Sequence, residues 1–200
     1  MDPLNENEIR VLACLIEKES TTPEYYPLSL NALMLACNQK TNREPIVYYN
    51  EDTVRGALDS LREKRLARPA AAGGGVTKYE HSIVEVHNLG RRELALLCTL
   101  MLRGPQTVGE LRDRSERMRA FSDLEEAESC LEILMKWEPS PLVTRLARQP
   151  GTKEPRYKHL LGGGESATVE NSPEDPIELL RREVAELRAE VARLRGMIES

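Results

Sequence analysis

A mainly α-helical chain with small β-hairpins, an α+β protein built twice over, is what three features of these 200 residues predict. Residues 30–81 read as two short helices joined by a polar turn, then a strand, a glycine tip and a second strand. Residues 91–161 repeat that order. The two runs also end alike, in Tyr79-Glu80-His81 and Tyr157-Lys158-His159, at an offset of 157 minus 79, or 78. A repeat this long is a duplicated domain rather than a solenoid unit. Helix, turn, helix, hairpin is the order of a winged helix. The expected architecture is therefore two tandem winged-helix domains, at 1–87 and 88–161, then a linker at 162–176 and a C-terminal coiled-coil helix at 177–200.

Asn5 opens the first helix, with Glu8 three residues on to complete a capping box. Ile9, Leu12, Ala13 and Ile16 supply its buried stripe, and it should end near Lys18. The polar run 20–27 is a loop, after which Ser29 caps a helix carrying Leu30, Leu33, Met34 and Cys37. A longer insert, 38–50, leads to the helix expected at 52–64. That helix turns Val54, Leu58 and Leu61, with Leu66 beyond it, to one face and Thr53, Arg55, Asp59 and Arg62 to the other. A hairpin follows, with strands near 66–69 and 76–81 around the tip 70–75. In the second repeat the helices are expected at 91–102, 107–114 and 123–136, and the hairpin strands at 143–148 and 156–161.

Beyond Leu161 the chain turns to glycine, serine, proline and acid, with almost nothing to bury, which is the composition of a flexible linker. A heptad then begins, with Ile177, Val184, Val191 and Ile198 at the first core position and Leu180, Leu187 and Leu194 at the second. β-Branched residues followed by leucine favour two parallel strands. The flanking charges agree, because a parallel pair sets Glu183 against Arg188 and Glu190 against Arg195, whereas an antiparallel pair matches like with like. These seven apolar residues are the candidates for a homodimer interface.

With 40% hydrophobic and 30% charged residues the composition is that of an ordinary soluble protein. The longest apolar runs, such as 94–101, fall well short of the roughly 18 residues a bilayer span needs, and the first residues are acidic, so no membrane partner and a cytoplasmic location are expected. Cys14, Cys37, Cys98 and Cys130 are far apart, each inside an apolar helical pattern, and read as buried thiols rather than a disulfide or metal set. His81, His87 and His159 form no HExxH and no helical pair. The run 73–78 lacks the Gly-Lys-Ser/Thr order of a phosphate loop, and no serine sits in a GxSxG elbow. No catalytic constellation assembles, so neither an enzyme nor a cofactor or metal is expected.

Duplex DNA is the partner the fold suggests, because the second helix of a helix-turn-helix enters the major groove and its neighbours hold phosphates. The candidates are Thr53 and Arg55 on that helix, Lys40, Thr41, Asn42 and Arg43 before it, and Lys78 on the hairpin. Charge counsels restraint. The chain up to Leu161 carries 23 basic against 24 acidic residues, which is not the footprint of a strong nonspecific DNA binder. Glu51 and Asp52 suit a helix N-terminus but not phosphate. Asp123, Glu125, Glu126, Glu128 and Glu132 oppose only Lys136 on the equivalent helix, so that one is not expected in a groove. Basic residues gather instead at Arg112, Arg114, Arg117 and Arg119, and at Arg145, Arg148, Lys153, Arg156 and Lys158.

With residues 4–10, the stretch Cys37-Asn38-Gln39-Lys40-Thr41-Asn42-Arg43-Glu44-Pro45 and Tyr79-Glu80-His81 in view, the chain resembles the YceH-like family of uncharacterised bacterial proteins, over roughly residues 4–161. The resemblance implies two winged-helix domains in tandem, a dimer and no assigned catalytic activity, and it carries over no functional residues. The leading expectation is a DNA-binding protein of the regulator kind that uses the first repeat. The alternative is a protein-interaction scaffold resembling the segregation and condensation protein B type, without DNA binding.

Overall fold

In the computed structural model, which describes residues 2–70, 75–148, 151 and 154–162, the chain begins with helix α1 (Glu6–Thr21). Asn5 caps it as its sequence predicts. The Asn5 side chain accepts from the Glu8 amide at 3.0 Å, and the Glu8 carboxylate accepts from the Asn5 amide at 2.8 Å. A 3-10 turn at Pro23–Tyr25 leads to strand β1 (Leu28–Ser29) and helix α2 (Leu30–Cys37), whose first turn is held by the Ser29 hydroxyl accepting from the Ala32 amide. Helix α3 (Glu51–Glu63) is capped by Asn50 and buries Val54, Ala57, Leu58 and Leu61. Arg65, at φ 61°, takes the left-handed conformation that ends the helix, and the Leu66 amide turns back onto the Leu61 carbonyl at 2.8 Å.

Strands β2 (Ala67–Pro69) and β3 (Lys78–His81) follow, and the antiparallel sheet has the order β1-β3-β2. The hairpin was legible, but the third strand was not. β1 is two residues long, too short to carry an alternation, and is recognised only by its pairing of Leu28 with Tyr79. A short helix, α4 (Ile83–His87), was likewise unexpected and joins the halves.

The second half runs α5 (Arg91–Arg103), α6 (Val108–Ser115), α7 (Leu124–Met135), β4 (Val143–Arg145) and β5 (Tyr157–His159). Thr107 and Glu110 form a second capping box, and Asp123 caps α7. Gln106 bridges to Tyr157, its amide and carbonyl bonded to the Tyr157 carbonyl and amide at 3.1 and 2.7 Å. The pair Gln106 and Tyr157 stands 78 residues after Leu28 and Tyr79, and the cap Thr107 stands 78 after Ser29. Helix, strand pairing, helix, helix and hairpin thus occur twice in one order, although the hairpin pairing differs by two residues, Tyr79 facing Pro69 and Tyr157 facing Arg145.

The described residues all belong to one unit, Met1–Ser166, and the reason lies in α1. Periodicity gives this helix one buried stripe, yet every residue from Val11 to Ile16 is completely buried. α2 and α3 cover one side of it and α5 the other. α5 is buried in the same way from Leu94 to Leu102. Packed side by side, the two helices merge both halves into one aliphatic core. No helix among the described residues is long and apolar enough to cross a membrane.

Candidate nucleic-acid interface

The apolar face of α3 packs on α1, α2 and β2, which leaves the opposite face outward. Thr53 is half-buried and its hydroxyl donates to the Asn50 side chain at 2.7 Å, so it serves the cap. Arg55 is exposed and paired with Glu51 one turn earlier, and Arg62 lies 3.4 Å from Asp59. Asp52 and Glu63 are exposed and have no basic partner among the described residues. Gly56 sits between them on the same outward face, with nothing within 4 Å of a side chain built there. The outward face therefore holds two arginines, each already neutralised within the helix, and two free carboxylates.

The segment 37–45 has a different role from the one its sequence suggests. Arg43 is only 4% exposed and is a correction to the candidate set. Its guanidinium donates to the two Glu17 oxygens at 3.1 and 2.6 Å, to the Ala36 carbonyl at 3.2 and 3.0 Å, to the Asn42 carbonyl at 2.9 Å and to Gln39 at 3.1 Å. No donor is left for a phosphate. Burial pushes the Glu17 carboxyl up, but the hydrogen bonds and charge of Arg43, helped by Lys18, outweigh it and hold the pKa below the usual carboxylate value.

The neighbours of Arg43 build the same knot. The Asn38 side chain clasps the Tyr49 backbone, donating at 2.8 Å and accepting at 2.7 Å. Arg10 donates to the Pro45 carbonyl at 2.6 Å. Asn42, at φ 59°, accepts from Arg103 of α5, and the Glu44 amide donates to the Leu102 carbonyl at 2.8 Å. The stretch most specific to the family it resembles is thus a clasp joining the first half to α5.

Lys40, Thr41 and Asn42 line a crevice of about 370 Å³ between the halves rather than extending the α3 face. Its other walls come from the C-terminal end of α1 (Glu17, Lys18, Thr21, Thr22), from α5 (Thr99, Leu102, Arg103) and from α6 and the turn after it (Arg114, Arg117, Met118). No residue of α3 lines it.

On the first hairpin Lys78 is exposed, with Val76 and Thr77 beside it, while residues 71–74 of the tip lie outside the described residues. Arg68 is held by Glu80 at 2.7 Å and Glu85 at 3.2 Å. α7 exposes Glu125, Glu128 and Glu132 together with Leu124 and Ile133. On the second hairpin Arg145, Arg148 and Lys158 are exposed, whereas Arg156 is held by Glu110 at 3.0 Å and Lys153 lies outside the described residues. The heptad residues Ile177, Leu180, Val184, Leu187, Val191, Leu194 and Ile198 also lie outside them.

The other singled-out groups are structural. All four cysteines are buried and free. His81 meets Glu19 at 2.9 Å, and its amide donates to the Tyr26 hydroxyl at 2.8 Å. Burial and the neighbouring Lys158 bring the His159 pKa down to about 4.

A family model described as "Protein of unknown function, DUF480" matches residues 4–152. The chain is 53% identical to a UPF0502 protein of Pelobacter propionicus, over 98% of this chain and 95% of that one. It is 58% identical to a UPF0502 protein of Citrifermentans bemidjiense, over 80% and 74% of the two chains. To a UPF0502 protein of Solibacter usitatus it is 48% identical over 98% of both.

Proposed function

The chain belongs to the DUF480 family of UPF0502 proteins, as its YceH-like sequence implies, and on that footing we propose that it binds duplex DNA through the first of two tandem winged helices. The twice-repeated order of elements, with an offset of 78 between the Leu28–Tyr79 and Gln106–Tyr157 pairings, supports the tandem reading. The first domain is taken as 1–87 and the second as 88–161. It is a binding protein, not an enzyme.

The observation that carries this reading is the α3 face. Its apolar side is pinned by Val54, Ala57, Leu58 and Leu61, and its outward side lies clear of the second half. Exposed intrahelical ion pairs contribute about 0.3–0.5 kcal/mol. Arg55 and Arg62 can exchange Glu51 and Asp59 for phosphate or a base edge at little cost. Gly56 permits a close approach at the middle of the helix, and Lys78 on the adjoining hairpin adds a phosphate contact. Asp52 and Glu63 weaken nonspecific binding, so discrimination between sequences rests on few contacts. The heptad at 177–198, through its sequence pattern, supports a homodimer that presents two such helices.

Fluorescence anisotropy of labelled duplex DNA tests this. Binding should be measurable at low salt, fall as salt rises, and weaken about tenfold or more in Arg55→Ala/Arg62→Ala. Indifference to duplex DNA at low salt overturns it.

The scaffold reading is favoured by a separate feature. α7 sets Leu124 and Ile133 among Glu125, Glu128 and Glu132, beside a cleft of about 610 Å³ that includes Trp137. A partner helix with an apolar stripe edged by basic residues complements that face.

A further inference from the structure

The crevice between the halves concentrates positive charge that the fold does not neutralise. Among the described residues five basic side chains line it, Lys18, Lys40, Arg103, Arg114 and Arg117, against one carboxylate, Glu17. That carboxylate is already held by Arg43 at 2.6 Å and by Lys18 at 3.6 Å. Arg114 leans on Glu110 at 3.4 Å and on Gln106. Arg103 bonds only the neutral amide oxygen of Asn42. Lys40 and Arg117 are exposed and have no carboxylate partner among the described residues.

In a chain whose residues up to Leu161 are nearly neutral in sum, such clustering in a concave site marks it off from a solvated surface face. Burial, with Arg114 and Arg43 nearby, lowers the Arg103 pKa against the opposing pull of Glu17. Burial is the larger cause, and the neighbouring cations act in the same direction.

We propose that this crevice binds the di- or triphosphate group of a small molecule. Its cavity of about 370 Å³ lies within the range of small-ligand sites. Guanidinium groups from α5 and α6 face an ammonium and a free hydroxyl, Lys40 and Thr41, on the turn after α2. Planar forks match phosphate oxygens two at a time, and the lysine adds a point charge. Among the described residues the only large apolar side chains in the walls are Leu102 and Met118, and none is aromatic, so a nucleobase finds no stacking surface in them. Recognition rests on the phosphates.

The clasp at 42–44 gives the site a mechanical position. Asn42 and Glu44 tie the Lys40 wall to Arg103 and Leu102 on the opposite wall, so a polyanion drawn between them tightens the junction of the two halves. This site shares no residue with α3 and does not depend on the DNA-binding reading.

Isothermal titration of the full chain at low salt, without divalent cations, tests it with pyrophosphate, ATP and orthophosphate as probes. Pyrophosphate and ATP should bind with similar affinity and orthophosphate more weakly. Arg117→Ala and Lys40→Ala should each weaken pyrophosphate about tenfold, the loss expected for one charge-assisted hydrogen bond, while circular dichroism stays unchanged. Amide shifts of Thr41, Asn42 and Arg103 on adding pyrophosphate place the ligand. No binding of either probe, binding unaffected by both substitutions, or displacement of pyrophosphate by duplex DNA overturns the proposal. Arg117→Ala leaves the α3 face intact, so loss of pyrophosphate with DNA binding retained separates this site from the nucleic-acid surface.

Discussion

Replacing Arg43 by alanine removes the centre of the clasp. The side chain is completely buried, and Glu17 opposite is 12% exposed at its side chain. Without the guanidinium, the Glu17 carboxylate keeps only Lys18, at 3.6 Å, and the Ala36 carbonyl and Gln39 side chain lose their donor. Breaking a buried pair by removing one partner typically costs 3–5 kcal/mol, because a charge stays buried and uncompensated. Against a total of about 5–15 kcal/mol for an ordinary domain, that is a large fraction. At roughly 2–4 °C per kcal/mol for a chain of this size, the melting temperature should drop by about 6–20 °C. Thermal unfolding followed by circular dichroism measures that drop, and urea denaturation measures the loss of free energy. Adding Glu17→Met to Arg43→Ala removes the stranded carboxylate and should recover at least about 1 kcal/mol. A single-variant loss below about 1 kcal/mol, or no recovery in the double variant, refutes the account of Arg43 as a structural plug.

Two further outcomes follow from side chains at opposite extremes of burial. Gly56→Ala on the open face of α3 should stabilise the protein by about 0.5–1 kcal/mol, since nothing blocks the new methyl and alanine is the better helix former. If a duplex approaches that face closely, the same variant should bind DNA more weakly, and unchanged affinity would remove Gly56 from the contact. His159, with its pKa brought down to about 4 from an ordinary 6.5, stays neutral in the folded chain while the unfolded chain takes up a proton. Its contribution is therefore intact above pH 6.5 and is lost as the pH falls toward 4, by as much as about 3 kcal/mol. The decline in urea midpoint over that interval should be shallower in His159→Leu, and parallel declines would contradict the burial of a neutral ring.

What the sequence determined by itself was everything set within a few residues. Asn5 with Glu8, and Ser29, each announce a helix start, because a cap is a bond to the backbone two or three residues on, and the apolar spacing places the later helices from Thr107 and Asp123. The faces of α3 followed from a spacing of three and four, and the hairpins from their punctuation. The matching endings at Tyr79 and Tyr157 mark the repeat in the sequence itself.

Tertiary structure decided what depends on residues far apart in the chain. Arg43 reads locally as one more cation in a polar loop, and only Glu17, 26 positions earlier, makes it a core residue. α1 reads as half-exposed until α5 covers its second side. The crevice joins Lys40 to Arg117 across two halves whose net charge nearly cancels, so neither composition nor periodicity signals it. Hydrophobic periodicity and capping act along one element and are written into its residues. Ion pairs and concavities are made by the packing of elements against each other, and they exist only once that packing is complete.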